Sequence, residues 1–158
     1  MGDQPLYSPL SFDEATNKGV LTTLQKAELV RGVEVFSQAT VEELYRLGAI
    51  AREVGFPADG VIFRENDASD AFYIVVRGQV ELTCQESAGR EVFGPGEAVG
   101  LYSVLMRETR CATAKALEDT VGICIGAEDF YNVLSNNMEM VTSIFKYFVQ
   151  KLGLGRRT

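Results

Sequence analysis

The segment Gly94–Thr113 combines the residue types that a phosphate site needs. Glycines at positions 94, 96 and 100 allow tight backbone turns, in which several N–H groups can point inwards at one anion. Arg110 follows after a short segment and supplies a planar, permanently charged guanidinium that matches the geometry of phosphate oxygens. We therefore interpret this segment as a phosphate cradle.

The complete absence of histidine limits the chemistry that the chain can perform. Serine and cysteine nucleophiles lack their usual base, and the histidine-based metal sites of cupin-type enzymes are excluded. The aspartates and glutamates are spread over predicted turns and helix faces, so the sequence places no pair of carboxylates in one pocket. The sequence predicts a protein that is not an enzyme and that has no metal site and no cofactor.

Composition narrows the class of protein further. The chain has 158 residues, which suits one domain, and its net charge of −7 has the wrong sign for a nucleic-acid surface. Its three cysteines, Cys84, Cys111 and Cys124, form no CxxC pair and are interpreted as reduced core thiols of an intracellular protein. No apolar run approaches the roughly 18 residues of a membrane helix, and the acidic start does not resemble a signal peptide. We therefore predict a cytoplasmic domain that binds neither nucleic acid nor a membrane.

The first part of the chain predicts a loose arm followed by two helices. Residues 1–19 contain two prolines and little periodicity, which indicates a flexible N-terminal arm. The pattern from Val20 to Arg31 favours a helix. Thr40 and Glu43 form a capping box, so we expect a second helix to begin there. Residues 20–158 are predicted to form the folded domain.

Between about residues 51 and 126 the hydrophobic period changes to that of short β-strands. Apolar or alternating runs recur every roughly 8–12 residues and are separated by turn clusters, without intervening helices. Arg77-Gly78 is typical of a tight hairpin, and Asn66 is predicted to adopt a left-handed turn conformation. This pattern predicts an antiparallel sandwich or barrel. The runs are Val54–Phe56, Val61–Phe63, Phe72–Val76, Val80–Cys84, Glu91–Phe93, Cys111–Leu117 and Val121–Ile125.

Residues 127–153 are predicted to contain two helices, Ala127–Ser135 and Met138–Leu152. The longer helix carries an apolar stripe whose members alternate between spacings of three and four residues, as in a coiled-coil seam. The stripe either packs on the protein's own barrel or forms an interface with a second copy or another protein, and both interpretations stay open. Its members are Met138, Val141, Phe145, Phe148 and Leu152.

From Leu29 to Leu152, the order of these elements and several motifs resemble a cyclic nucleotide-binding domain, of the type found in catabolite activators and protein-kinase regulatory subunits. The segment Asn66–Gly78 resembles the family's opening signature. Val99–Leu105 and Arg110–Thr113 resemble its phosphate-binding cassette, and Ala116–Thr120 fits the pattern that follows. The resemblance implies a mainly β fold of the α+β type. Its centre would be an eight-stranded antiparallel β-roll, similar to a jelly-roll barrel, with helices at both ends of the chain.

The resemblance also assigns roles to residues of the cassette. The backbone amides of Tyr102, Ser103 and Val104 are expected to point at the cyclic phosphate from the start of a short helix. Arg110 is expected to close on the equatorial phosphate oxygens, and Asp70 stands where a carboxylate can hold that arginine. The predicted ligand-binding residues are Gly100, Leu101, Tyr102, Ser103, Val104, Arg110, Cys111, Ala112 and Thr113.

Two residues are the main departures from the family's cassette sequence, and because of them we describe the cassette as degenerate. Leu101 stands where the family has a glutamate that accepts a hydrogen bond from the ribose 2′-hydroxyl, and leucine has no acceptor. The unpaired hydroxyl implies a loss of about 1–3 kcal/mol, or about 5- to 150-fold in affinity. Cys111 replaces a residue that commonly carries a hydroxyl, although Thr113 keeps one nearby.

These expectations leave two functions open. In the first, the domain is a non-enzymatic sensor that binds cAMP, cGMP or a related phosphate ligand, weakly or with altered selectivity, and signals through movement of its C-terminal helices. In the second, the pocket binds no nucleotide, and the degenerate domain serves as a protein-interaction or structural module. No winged-helix pattern follows Leu152, so we expect no DNA binding by this chain itself.

Overall fold

The computed structural model describes residues 21–86 and 89–153, and this part of the chain begins with two capped helices. Helix α1 spans Thr23–Arg31, helix α2 spans Val41–Ile50, and a 3₁₀ turn, Glu34–Phe36, lies between them. The predicted capping box of α2 is confirmed. The Glu43 N–H donates to Thr40 Oγ1 at 3.2 Å, and Glu43 Oε1 accepts from the Thr40 N–H at 3.0 Å. The predicted N-terminal arm, residues 1–19, lies outside the described residues.

In the described residues, eight antiparallel strands form two four-stranded sheets. The first sheet has the strand order β1-β8-β3-β6, and the second has the order β2-β7-β4-β5. The sheets are separate rather than one closed barrel, but the predicted fold class, a mainly β antiparallel roll flanked by helices, is confirmed. The strands are β1 Arg52–Phe56, β2 Val61–Phe63, β3 Ala71–Arg77, β4 Val80–Thr83, β5 Arg90–Phe93, β6 Ala98–Val99, β7 Thr113–Ala116 and β8 Thr120–Gly126.

Strand β3 separates two hydrophobic clusters, because successive side chains of a strand point to opposite faces. Phe72 and Ile74 pack in the first cluster, between the first sheet and the helices. Tyr73 and Val75 pack in the second cluster, between the two sheets. Burial on both faces explains why this run is apolar throughout instead of alternating with polar residues.

Three further helices complete the described part of the chain. Helix α3, Leu101–Met106, lies between β6 and β7, whereas α4, Ala127–Ser135, and α5, Met138–Lys151, follow the last strand. Leu101 and Val104 of α3 are buried in the first cluster, which anchors this short helix to the core. None of the helices in residues 21–86 and 89–153 is long and apolar enough to cross a membrane.

Helix α5 packs on the domain through a face different from its predicted apolar stripe. Met140, Ser143 and Ile144 are the buried residues of this helix. Within the stripe, Phe148 packs against the first cluster, but the other members do not. The stripe as a whole therefore does not pack on the protein's own sheets, and its use by a partner stays a prediction. The exposed members are Met138 at 72%, Val141 at 36%, Phe145 at 68% and Leu152 at 70%.

Candidate ligand-binding site

A cavity of about 590 Å³ opens beside the second sheet, next to the start of α3. Its volume lies within the range of about 300–1,000 Å³ that is typical of small-ligand pockets. The cavity brings together most of the predicted ligand-binding residues, together with apolar side chains of three strands and two residues of the flanking helical elements. These groups are Gly100–Ser103 and Arg110–Ala112; Phe63, Leu82 and Phe93; and Glu34 and Tyr147.

Gly100 joins β6 to α3 in a left-handed conformation, with φ of 81°. A Cβ atom at this position would lie 2.6 Å from Nη1 of Arg110 and 3.1 Å from a ring carbon of Phe63. The missing side chain allows the Gly100 carbonyl to accept a hydrogen bond from that Nη1 at 2.9 Å. Glycine is therefore required here both by the backbone angle and by the close approach of the arginine.

The turn around Asn66 fixes the backbone of Arg110. Asn66 adopts the left-handed conformation that the sequence predicts, with φ of 75°. Its N–H donates to the carbonyl of Arg110 at 2.8 Å, and the N–H of Arg110 donates to the carbonyl of Asp67 at 2.9 Å. The turn itself is closed by Asp67 Oδ2, which accepts from the Arg64 N–H at 2.9 Å. Both the N–H and the carbonyl of Arg110 are therefore fixed by backbone hydrogen bonds to this turn.

The guanidinium of Arg110 is enclosed, and the residue is 2% exposed. Its Nη1 donates to the Gly100 carbonyl and to Ser103 Oγ, both at 2.9 Å. Its Nη2 donates to the carbonyl of Ala71. The Cζ atom lies 3.9 Å from the ring centroid of Phe63, close enough for a cation–π contact. The fold thus orients the guanidinium before any ligand arrives.

The positive charge of Arg110 is only partly neutralised by the described residues. Its ion pair with Asp70 is long, at 4.0 Å, and the Asp70 side chain is 85% exposed, so water screens the attraction. Its Nε atom is buried without a hydrogen-bond partner. Burial lowers the pKa of Arg110, while Tyr73 and Asp70 act in the opposite direction. A buried arginine nevertheless stays charged, so an anion in the cavity would offset part of the cost of its burial.

Comparison with known proteins identifies the family. Residues 53–137, more than half of the chain, match the family of the cyclic nucleotide-binding domain. The chain belongs to this family. The resemblance that the sequence motifs predicted is therefore confirmed, and the family and the fold are those of regulatory domains.

The similar proteins differ in size and in kind. Cyclic AMP receptor protein of Thermus thermophilus is 35% identical over 79 residues, which cover 48% of this chain and 37% of that protein. Lysophospholipase NTE1 of Mycosarcoma maydis is 36% identical over 66 residues, which cover 40% of this chain and 4% of that protein. The solved N-terminal domain of a transcriptional regulator from Streptomyces coelicolor A3(2) has a TM-score of 0.70 at 25% identity, and the match covers 82% of this chain and 96% of that one. The chain spans less than half of either named relative.

In this cyclic nucleotide-binding domain, the start of α3 contributes side chains of three different kinds. Leu101 borders the cavity but is 4% exposed, because it also packs in the first hydrophobic cluster. Tyr102 borders the cavity and is largely exposed. Ser103 Oγ accepts from Arg110 and donates to the Gly100 carbonyl at 3.3 Å. The position expected to meet the ribose hydroxyl is therefore apolar and buried.

Two of the predicted binding residues do not line the cavity. The side chain of Val104 is fully buried in the first cluster, so any contribution to a ligand would come from its backbone. Thr113 Oγ1 accepts a hydrogen bond from the Glu65 N–H at 3.0 Å, and its role in ligand binding stays a prediction. Cys111, which is exposed, and Ala112 both border the cavity.

Direct contacts connect α3 to the C-terminal helices. The Tyr131 hydroxyl of α4 donates to the Val104 carbonyl at 2.7 Å, and the guanidinium of Arg107 lies 4.1 Å from the Tyr131 ring centroid. The rings of Tyr102 and Phe148 have centroids 5.8 Å apart, which joins α3 to α5. Helix α3 is therefore in direct contact with both C-terminal helices.

Three polar side chains, Glu34, Tyr147 and Lys151, form a group at one edge of the cavity, which is called the rim cluster below; Glu34 and Tyr147 border the cavity. The Tyr147 hydroxyl donates to Glu34 Oε1 at 2.9 Å, and Lys151 Nζ lies 3.8 Å from the same oxygen. Burial and the hydrogen bond to Glu34 raise the pKa of Tyr147, so its hydroxyl keeps the proton that it donates. The rim cluster ties α5 to the 3₁₀ turn.

Sequence reasoning missed several residues that border the cavity, among them Phe63, Glu91, Glu34 and Tyr147. Phe63 and Glu91 come from separate strands of the second sheet, and their meeting depends on which strands pair and in which register. The alternation within β5 does place Glu91 on the same face as Phe93, which was an available signal. No local pattern links Glu34 to Tyr147, because they are 113 residues apart in the sequence.

Proposed function

We propose that this domain binds a nucleoside 3′,5′-cyclic monophosphate, such as cAMP or cGMP, with the cyclic phosphate on Arg110. The observation that carries the proposal is the buried guanidinium of Arg110, which borders the cavity and has only a long, screened ion pair with Asp70. The relative from Thermus thermophilus, whose name states that it is a cyclic AMP receptor, supports the same ligand class.

In the proposed complex, the phosphate binds at the start of α3. The first backbone N–H groups of a helix have no partner within the helix, and those of Tyr102 and Ser103 would donate to the phosphate oxygens. Arg110 would donate to the equatorial oxygens, which compete with Ser103 Oγ for its Nη1. Because Leu101 offers no acceptor to the ribose 2′-hydroxyl, affinity is lower by about 5- to 150-fold than it would be with one.

The proposed output is a movement of the C-terminal helices. Ligand contacts at the start of α3 would shift that helix, and the contacts of Tyr131 and Phe148 would pass the shift to α4 and α5. The exposed stripe of α5, containing Met138, Val141 and Phe145, would then present its apolar face to a second copy of this chain or to another protein. Sedimentation at micromolar concentration with and without ligand tests this part, and a monomer in both states would rule out self-association.

A second function is favoured by the hydrogen bonds that Arg110 already makes within the protein. Its Nη1 and Nη2 atoms already donate to Gly100, Ser103 and Ala71. A ligand therefore gains less from this arginine than it would from an unengaged one, because it must replace existing hydrogen bonds. Under this alternative the cavity takes no nucleotide, and the domain acts as an interaction or structural module.

Cys111 provides a direct test, because its thiol borders the cavity and is exposed, whereas Cys124 is buried. In a Cys84→Ser variant, Cys111 is the accessible thiol that remains. We expect cAMP or cGMP at saturation to slow its alkylation by iodoacetamide severalfold and to raise the unfolding temperature. At a ligand concentration of 100 Kd, the expected stabilisation is about 2.7 kcal/mol.

The same experiment separates the two functions. Unchanged alkylation and an unchanged unfolding temperature at millimolar nucleotide would favour the module without a ligand. Thermal stabilisation without protection of Cys111 would mean that the nucleotide binds outside this cavity, and the proposed site would be wrong.

A further inference from the structure

Glu91 of strand β5 borders the cavity and is exposed to solvent. It pairs in register with Leu82 of β4, and Phe93 pairs with Val80. Because residues at alternate positions of a strand share a face, Glu91 and Phe93 point the same way. Val80 is buried in the second hydrophobic cluster, and Leu82 and Phe93 pack against that cluster. Glu91 thus continues an apolar row into the cavity, which it borders.

The other two glutamates that border the cavity are engaged with protein groups, but Glu91 is not. Glu34 accepts from the Tyr147 hydroxyl, and Glu97 Oε1 accepts from the Gly94 N–H at 2.7 Å. Within residues 21–86 and 89–153, the carboxylate of Glu91 has no hydrogen bond and no ion pair. Its oxygens are therefore available to donors of a ligand that lies over Leu82 and Phe93.

We propose that Glu91 selects a guanine base, so that the ligand of this domain is cGMP rather than cAMP; this inference rests on the proposed function. An ionised carboxylate only accepts hydrogen bonds, and it can accept two in parallel. Guanine presents two adjacent donors on one edge, the N1–H and the 2-amino group. Adenine presents one donor, its 6-amino group, beside the N1 lone pair, which a carboxylate repels.

The charges in the cavity favour the same orientation of the ligand. Arg110 borders the cavity at the start of α3, and Glu91 borders it on the second sheet. The anionic phosphate is attracted by the guanidinium and repelled by the carboxylate, so it binds beside Arg110. The uncharged base then occupies the part of the cavity beside Glu91, Leu82 and Phe93. These two charges therefore orient the ligand, with its phosphate beside Arg110 and its base beside Glu91.

The test is a set of titrations with cGMP, cAMP and inosine 3′,5′-cyclic monophosphate, which keeps the N1–H but lacks the 2-amino group. For the unmodified protein we expect cGMP to bind about 10-fold more tightly than cAMP, with the inosine nucleotide between them. In Glu91→Gln, one acceptor becomes a donor that opposes guanine and matches adenine, so the ratio should fall to about one or below. Glu118→Gln, in the exposed turn between β7 and β8, makes the same change in net charge away from the cavity and should leave the ratio unchanged.

The possible failures are distinguishable. Binding of no cyclic nucleotide would overturn both the proposed function and the role of Glu91. Binding of cGMP and cAMP with equal affinity by the unmodified protein would overturn the role of Glu91 alone. A preference for cGMP that persists in Glu91→Gln, or that falls equally in Glu118→Gln, would also contradict it.

Discussion

The end of the cavity at Arg110, where we propose that the phosphate binds and which is called the phosphate end below, is buried and fixed by the fold, whereas the rim cluster is held by contacts between exposed side chains. Arg110 is 2% exposed and is held by Gly100, Ser103, Ala71 and the ring of Phe63. In the rim cluster, by contrast, the side chains of Glu34 and Lys151 are 77% and 56% exposed. One end is therefore held by buried contacts, and the other by contacts between exposed side chains.

This difference follows from where each end obtains its stability. The phosphate end is built from backbone contacts of the fold, since Arg110 donates directly to the Gly100 carbonyl and the turn at Asn66 holds the backbone of Arg110. The rim cluster consists of surface contacts, which water and salt weaken. If the ligand binds as proposed, substitutions at the two ends should affect its binding unequally.

The largest effect is expected from Arg110→Ala. Loss of the charge-assisted contact with the phosphate should weaken cyclic-nucleotide binding by about 100-fold, and calorimetric titration measures this directly. The carbonyls of Gly100 and Ala71 also lose a donor, so the unfolding temperature should fall as well. Arg46→Ala is the matched control, because Arg46 is exposed on α2. Equal effects of the two substitutions on affinity would show that Arg110 does not hold the phosphate.

Gly100→Ala tests whether the phosphate end tolerates an added methyl group next to Arg110. The new Cβ would lie 2.6 Å from Arg110 Nη1, and the positive φ alone costs about 1–2 kcal/mol. We expect lower stability in chemical denaturation and about 10-fold weaker nucleotide binding. Gly153→Ala is the control for backbone strain, since Gly153 has φ of 75°, has no atom within 4 Å of the added carbon and does not border the cavity. If both variants lose the same affinity, displacement of the arginine is not the cause.

The apolar side chain of Leu101 predicts a smaller effect on affinity, which is measured by comparing ribose and 2′-deoxy cyclic nucleotides. Because leucine leaves the ribose 2′-hydroxyl without an acceptor, a 2′-deoxy cyclic nucleotide should bind at least as tightly as its ribose counterpart. Leu101→Gln supplies an acceptor and should strengthen binding of the ribose form by about fivefold, but not of the deoxy form. Leu101→Met keeps the site apolar and serves as the control. A large loss on removing the 2′-hydroxyl from the ligand of the unmodified protein would mean that another residue accepts from it.

The smallest effect is expected at the rim cluster. Tyr147→Phe removes the hydrogen bond to Glu34 but keeps the ring, so nucleotide affinity should change by less than about threefold. Dissociation should be faster, because the edge of the cavity opens more easily, and stopped-flow release of a fluorescent cyclic nucleotide measures this. A loss of affinity as large as that of Arg110→Ala would remove the distinction between the two ends.

The sequence predicts the parts of the site that depend on neighbouring residues. The capping box of Thr40 and Glu43 and the left-handed turn at Asn66 are both present, because each is determined within a few residues. The order of glycines and arginine in the cassette likewise places Gly100 and Arg110 at one cavity. These features need no knowledge of how the sheets pack.

Long-range packing decides what the sequence leaves open. Thr113 is predicted among the ligand-binding residues, and the sequence gives no sign that its hydroxyl accepts from the N–H of Glu65, a residue that the fold brings from a distant turn. The apolar stripe of α5 was ambiguous because Met140 and Ile144 give the same helix a second apolar face, and that face is the buried one. The hydrogen bonds of Arg110 to Gly100 and Ala71 depend on backbone carbonyls, which carry no signature in the sequence.

The most direct test of the account is calorimetric titration of the unmodified protein with cAMP and with cGMP, accompanied by thermal unfolding. The account predicts one saturable site per chain, and a rise in unfolding temperature that grows with nucleotide concentration. Absence of both heat and thermal shift at millimolar concentrations of either nucleotide would contradict it, because a buried arginine at a cavity of this size would then serve the fold alone.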